Sequence, residues 1–234
     1  MKNVLLPALL SLATLAPALA QSAQTRTVPT FHAINVGTGI ELELTAGHSQ
    51  KVEVSAATDV YRDHIETTVQ DGVLTLRYKN QDERYRNDRT NKHLRVAVTA
   101  DDLTALTAHS GSAVRTSGDF DAAEFKLDIS SGAAVKTDLD TRSLTVRQSS
   151  GSTADVRGRA ASLDIQSSSG ASFDAKNLQT DHCRAQASSG SSISVAVKDD
   201  LVAQASSGGS ISYKGSPQLT KHTSSGGGVS GGGQ

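Results

Sequence analysis

The sequence predicts an all-β fold: a parallel β-helix, or β-solenoid, of stacked short strands, preceded by a strand-rich region that caps it or packs on it. Three observations carry this reading. Ser-Gly steps recur with glycines at 111, 132, 151, 170, 190, 208 and 226, spaced by 21, 19, 19, 20, 18 and 18 residues. A period near 20 marks one supersecondary unit stacked on copies of itself. Aligned on those glycines, apolar residues fall into fixed columns. Upstream of the repeats, apolar and polar residues alternate with period two, as strands with one buried face do.

The chain opens with Lys2, an apolar run from Val4 to Leu15, and Ala18-Leu19-Ala20. A positive start, a short apolar stretch and an A-x-A site predict a signal peptide over 1–20, cleaved before Gln21. The run is too short to span a bilayer and contains Pro7. The expectation is therefore export to the periplasm, the outer surface or the medium. No cysteine near the cleavage site suggests a lipid anchor, and no later stretch reads as an integral membrane segment.

Lys and Arg number 23 against 24 Asp and Glu. Such balance argues against nucleic acid as a partner. Cys183 is the single cysteine, so an intrachain disulfide is impossible and an exported chain must draw stability from elsewhere, such as backbone ladders. Trp is absent, and Tyr and Phe number four each. Aromatic side chains favoured in carbohydrate sites and interface hot spots are thus scarce.

Over residues 21–102 the pattern predicts five to seven strands. Phe31 to Gly37, Ile40 to Leu44, Lys51 to Ser55, Val73 to Tyr78 and His93 to Val98 all alternate, separated by turns at Gly47-His48 and Asp71-Gly72. Val60 to Val69 fits either a short helix or a strand. Gln81 to Lys92 carries dense mixed charge and reads as a solvated loop.

These residues carry a resemblance. Phe31, Ile34, Val36, Gly37, Gly39, the Ile40-Leu42-Leu44 alternation, Gly47, Asp71-Gly72-Val73-Leu74, Leu94-Val96-Val98 and the serial Ser-Ser-Gly steps together resemble the auto-transporter adhesin head GIN domain family of exported bacterial proteins. The resemblance spans about Thr27 to Gln234. It implies a right-handed β-helix-like repeat region and an adhesive role at the cell envelope. Its motifs are patterns of glycine and hydrophobicity, so it speaks to fold more than to activity.

Residues 103–223 hold the repeats, and 224–234 form a Gly-rich tail or a degenerate last rung. With each glycine as position zero, position +3 holds Val114, Val135, Ala154, Phe173, Ile193, Ile211 and Val229. Positions −7 and −5 are also largely apolar, for example Leu144 and Val146, or Leu163 and Ile165. Residues two apart share a strand face, so these columns point inward. Positions −4 and +4 are polar and point outward. Position −1 is serine in all seven repeats, and its hydroxyl is expected to satisfy backbone groups freed at the bend.

The columns decide which residues can carry chemistry. Cys183 stands where other repeats carry leucine, and its neighbour His182 faces the opposite side. Together they make neither a nucleophile nor a metal site. His109 beside Ser110 lacks a third triad member. Asp155 and Asp174 share an outward column one rung apart, the feature a carbohydrate-active β-helix enzyme would need. A charged solvated face explains them as well. The calcium-binding repeat G-G-x-G-x-D is absent. Asp138, Asp140, Asp199 and Asp200 are expected at turns. Gln166, Gln186 and Gln204 are expected to form an amide ladder. The reading is a non-enzymatic, exported binding or scaffolding module with no catalytic, cofactor or metal residues. Its expected partner is a surface glycan or an envelope protein, met on a shallow flat face. Self-association through the solenoid ends is an alternative mode of action.

Overall fold

The computed structural model describes residues 23–79, 91–118 and 120–232. The predicted signal peptide and most of the charged segment 81–92 lie outside the described residues. The first seven strands are β1 (Gln24–Arg26), β2 (Ala33–Val36), β3 (Glu41–Ala46), β4 (Lys51–Ser55), β5 (Ile65–Gln70), β6 (Val73–Tyr78) and β7 (Arg95–Ala100). A single helical turn, α1 (Asp59–Asp63), precedes β5; the Thr58 hydroxyl accepts from the Tyr61 amide and caps it. The ambiguous stretch 60–69 thus holds both a helical turn and a strand. The repeats supply β8 (Ala105–Ala108), β9 (Ala113–Ser117), β10 (Phe120–Ile129), β11 (Ala134–Gln148), β12 (Thr153–Ser167), β13 (Ser172–Ala187), β14 (Ser192–Ala205), β15 (Ser210–Lys214), β16 (Gln218–Thr223) and β17 (Gly228–Gly231).

These strands wind as a β-solenoid of about seven turns. Successive copies pair in parallel and in register: Val135 lies beside Ala154, Ala154 beside Phe173, Phe173 beside Ile193, and Ile193 beside Ile211. The strands β11 to β14 are long because each runs round two sides of the coil. The start of β11 lies beside β9, and its remainder lies beside β10. The chain therefore turns between those sides without leaving the ladder. Asp138, Asp140, Asp199 and Asp200 consequently sit within β11 and β14 rather than at turns. At Asp138 and Asp140 the backbone stays paired through the bend and needs no Asp side chain to satisfy it, whereas Asp199 falls where two residues of β14 face one of β13.

Upstream strands continue the same coil. β2 pairs in parallel with β8 and β6, and β3 pairs in parallel with β9 and β7. The corner between β2 and β3 is Thr38-Gly39, an earlier copy of the Ser-Gly step, and the Gly39 amide donates to the Ser110 carbonyl. Beyond this stack β4 and β5 pair antiparallel with β7 and β6, and β1 with β4. Antiparallel strands at that end cover edges that the parallel stack would leave open.

The sharp corners share one geometry. Ser150 has φ 56° and Gly151 φ 67°, and the Ser152 amide donates to the Ser149 carbonyl at 3.3 Å. Two successive residues at positive φ closed by that bond form a type I′ turn. All seven position −1 serines have positive φ. Corners also bond to one another: the Gly151 amide donates to the Ser169 carbonyl, and Gly170 to Ser189, each at 3.0 Å. The expected role of the −1 hydroxyl is corrected here. No −1 side chain reaches a backbone group among the described residues; main-chain bonds close the corner instead. The hydroxyls that serve the backbone are at position +1. Ser112, Ser152 and Ser191 are buried and donate to the carbonyls of Val36, Ile129 and Ser167 on the preceding rung.

The core fills the coil. Position +3 is buried from Val114 to Ile211, and position −5 from Leu106 to Ala203. Along the axis the two columns exchange volume. Leu127, Val146 and Ile165 give way to Ala185 and Ala203, while Val135 and Ala154 give way to Phe173, Ile193 and Ile211. Large side chains thus pass from one column to the other along the axis, keeping the interior filled. The last rung keeps the turn, with Ser225 and Gly226 at positive φ, but every residue of β16 is exposed and Leu219 is 40% accessible.

Two predictions test the register and the corners. Ile193→Asp places an unpaired charge in the core and should prevent cooperative folding, whereas Ser194→Asp should change stability by less than about 0.5 kcal/mol. Equal melting temperatures for the two variants would refute the register. A Cβ at Gly151 meets nothing within 4 Å, so Gly151→Ala should cost only backbone strain, about 1 kcal/mol. A Cβ at Gly158, φ 101°, would lie 2.2 Å from the Leu139 carbonyl oxygen, so Gly158→Ala should cost about 3 kcal/mol or more in urea unfolding.

Candidate binding groove

The outward columns beside the corner create a valley. Position −3 points into the core, so between the side chains at −4 and the serines at −2 the floor is bare backbone. Repeated on every rung, this forms one groove of about 690 Å³ running along the coil axis, from Thr107 to His222. One wall carries Arg147, Gln166, Gln186 and Gln204, and the other carries Ser149, Ser168, Ser188 and Ser206. In-register pairing stacks like on like, with Arg147 beside Gln166 and Gln186 beside Gln204.

The groove's polar groups are largely unspent. Among the described residues, the amides of Gln166, Gln186 and Gln204 hydrogen-bond neither to one another nor to any other protein group. The expected amide ladder is therefore a row of side chains rather than a bonded chain. Below the floor, the Gln148 amide nitrogen donates to the Ser172 carbonyl at 2.9 Å, while its oxygen and the Ser167 hydroxyl are buried without a protein partner. Charge along the groove is close to balanced, with Asp128 beside Arg147 at one end.

The other candidate residues are engaged elsewhere. Cys183 is 4% exposed, and burial, with a lesser contribution from the Asp164 charge, pushes its thiol up to about 12. Buried and held protonated, the thiol is not presented to solvent as a thiolate nucleophile. His182 points outward and meets Asp200 at 2.8 Å. His109 Nδ1 lies 3.0 Å from the Ser110 hydroxyl, and its ring covers Gly37, where a Cβ would lie 2.3 Å away. Among the described residues no group of three or more His, Cys, Asp or Glu is placed to hold a metal ion.

Asp155 and Asp174 do lie side by side on adjacent rungs. Each is neutralised by a cation two residues along. Arg157 bonds both oxygens of Asp155 at 3.2 and 3.0 Å, and the Lys176 ammonium lies 2.9 Å from Asp174. Partial burial pushes the Asp174 carboxyl up, but its hydrogen bonds and ion pair with Lys176 prevail and hold it below the usual range. The Asp155 carboxylate in turn raises the Arg157 guanidinium. A glycosidase acid needs the opposite environment, one that keeps a carboxyl protonated near neutrality. The pair also lies on the second face, away from the groove.

A β-solenoid of about seven turns with a groove along its axis defines the class. The chain belongs to the family described as "Putative auto-transporter adhesin, head GIN domain", whose model matches residues 30–217. Solved structures share its fold. A putative adhesin from Bacteroides fragilis is 18% identical with a TM-score of 0.81, over 92% of this chain and 98% of that one. A putative adhesin from Parabacteroides distasonis is 17% identical with a TM-score of 0.72, over 91% and 97%. A putative lipid binding protein from the same species is 14% identical with a TM-score of 0.67, over 92% and 97%. No curated protein matches the chain in sequence. Among the described residues no helix is long and apolar enough to cross a membrane.

The sequence columns locate one wall of the groove, the outward polar row at −4, while the −2 serines that form the other wall read only as part of the corner. The valley between them was not expected, and neither was the Thr38-Gly39 corner. That corner could have been found: with Gly39 as zero, Ile34, Val36 and Leu42 fall on the same inward positions as in later repeats. Cys183 offers a check on the site assignments. Thiol reagents at pH 8 should leave it unmodified in the native protein and label it at the rate of unfolding; immediate stoichiometric labelling would show an accessible thiolate.

Proposed function

We propose that this chain is an exported, non-catalytic binding module of the bacterial cell envelope that holds its partner along the amide and hydroxyl groove. The unpaired row of Gln166, Gln186 and Gln204 carries this reading. An amide row that served only to stiffen the coil would have its groups bonded from rung to rung. Here stiffness comes from the backbone ladder and the corners, which leaves the amides available to a partner. Family membership supports adhesion as the role, and the leader sequence 1–20 supports export. The cation-paired state of Asp155 and Asp174 supports a binding rather than a hydrolytic function.

The test is retention on bacterial envelope fractions. A Gln166→Ala, Gln186→Ala, Gln204→Ala triple variant should melt like the parent and lose at least about tenfold in retention, the equivalent of about 1.4 kcal/mol. A control variant on the second face, Ser194→Ala with Ser212→Ala, should be retained like the parent. Equal retention of the groove variant and the parent would overturn the assignment.

A further inference from the structure

The groove runs across the rungs, not along them, so its groups repeat at the rung spacing of about 4.8 Å. Each rung from Gln166 to Gln204 contributes one side-chain amide on one wall and one serine hydroxyl on the other. A ligand that uses all of them must be linear and must repeat at nearly the same interval. It must also be polar throughout, because the floor is backbone and the walls are amide and hydroxyl. With Asp128 offsetting Arg147, it need carry no net charge.

We propose that the groove takes an unbranched, uncharged, β-1,4-linked glycan chain, lying along the coil axis with one sugar per rung; this rests on the groove being the binding surface. A pyranose linked through opposite ends is about as long as one rung is high, so successive sugars stay in step with successive glutamines. An extended polypeptide does not, since its same-face groups recur every two residues, about 6.7 Å, and fall out of step by the second repeat. Polyanions such as nucleic acid find no continuous row of cations in the groove. Neighbouring sugars in a β-1,4 chain are turned over relative to each other, so hydroxyls arrive in alternating sense. Glutamine amides and serine hydroxyls each donate and accept, and therefore meet either orientation without any change in the protein.

The groove contains no Phe, Tyr or Trp, so no broad ring stacks on a sugar to anchor it. Affinity comes from repetition, and this gives the proposal its signature. Seven rungs face the groove from Thr107 to His222, and the last five, at Arg147, Gln166, Gln186, Gln204 and His222, present the longer side chains that can reach a bound sugar. Binding should strengthen with each added sugar up to about five and then level off.

The experiment is titration of the full mature chain with cello- and chito-oligosaccharides of two to six units, followed by calorimetry and by the side-chain amide signals of ¹⁵N-labelled protein. Expected are a several-fold gain in affinity per sugar up to the pentasaccharide, and perturbation of the Gln166, Gln186 and Gln204 amide signals. Gln186→Ala should weaken the pentasaccharide about tenfold, the loss of one to two hydrogen bonds, and leave the disaccharide less affected. The proposal is overturned if millimolar hexasaccharide of either series produces no perturbation, if affinity is independent of length, or if polygalacturonate or an extended serine-rich peptide binds more tightly through the same glutamines. If the oligosaccharides fail while the triple groove variant still loses envelope retention, the glycan assignment falls and the binding-module reading stands. If retention is also unchanged, both fall.

Discussion

In-register stacking at one rung spacing governs this molecule. Apart from register shifts on one side of β12 to β14, residues lie directly on their equivalents in the next turn, so a position must suit not only its own surroundings but copies of itself above and below. That condition selects Ser-Gly at the corners. Glycine accepts positive φ without cost from a Cβ. Serine at −1 tolerates a conformation that larger or β-branched residues resist, and it is small enough to repeat on seven successive turns. The corner amide of each glycine then bonds to the carbonyl of the next corner, so the ladder continues round the bend.

The same condition made much of the fold readable in one dimension. Columns at +3, −5 and −7 recur because every turn shares one interior, and the outward rows at −4 and +4 recur because every turn shares one surface. What escaped the sequence lies where a single copy replaces a row. Thr38-Gly39 is a corner, but β4, α1, β5, β6 and β7 separate it from the next one, so no regular period points to it. The hydroxyls that cap the interior backbone, Ser112, Ser152 and Ser191, occur only on alternate turns, with Ala133 and Ala171 between them. Their role at +1 was hidden behind the unbroken serine column at −1. The bends holding Asp138 and Asp199 look like turns because charge interrupts the apolar alternation there, yet both lie inside long strands, Asp138 paired with Arg157 and Asp199 at a register shift between β13 and β14.

The candidate site follows from that geometry rather than from a motif. A column that points inward leaves a strip of bare backbone on the outside, and flanking columns turn the strip into a groove. Elsewhere on the surface several polar side chains are spent on one another: Asp155 on Arg157, Asp174 on Lys176, His182 on Asp200. Along the groove the glutamines are not. What sets the groove apart is repetition: three like amides, unspent and in register, face a parallel row of serine hydroxyls. It also explains why single-residue inspection found no site, since no residue of the groove is unusual except as a member of its row.

The central claim is that the glutamine row is free. Hydrogen exchange of the side-chain amides of Gln166, Gln186 and Gln204, measured by NMR on the unliganded protein, tests it most directly. The account predicts exchange as fast as for solvent-exposed glutamine amides, while the corner amides of Gly151 and Gly170 exchange slowly. Strong protection of all three side-chain amides would show a bonded structural ladder and would contradict the assignment of the groove as a binding surface.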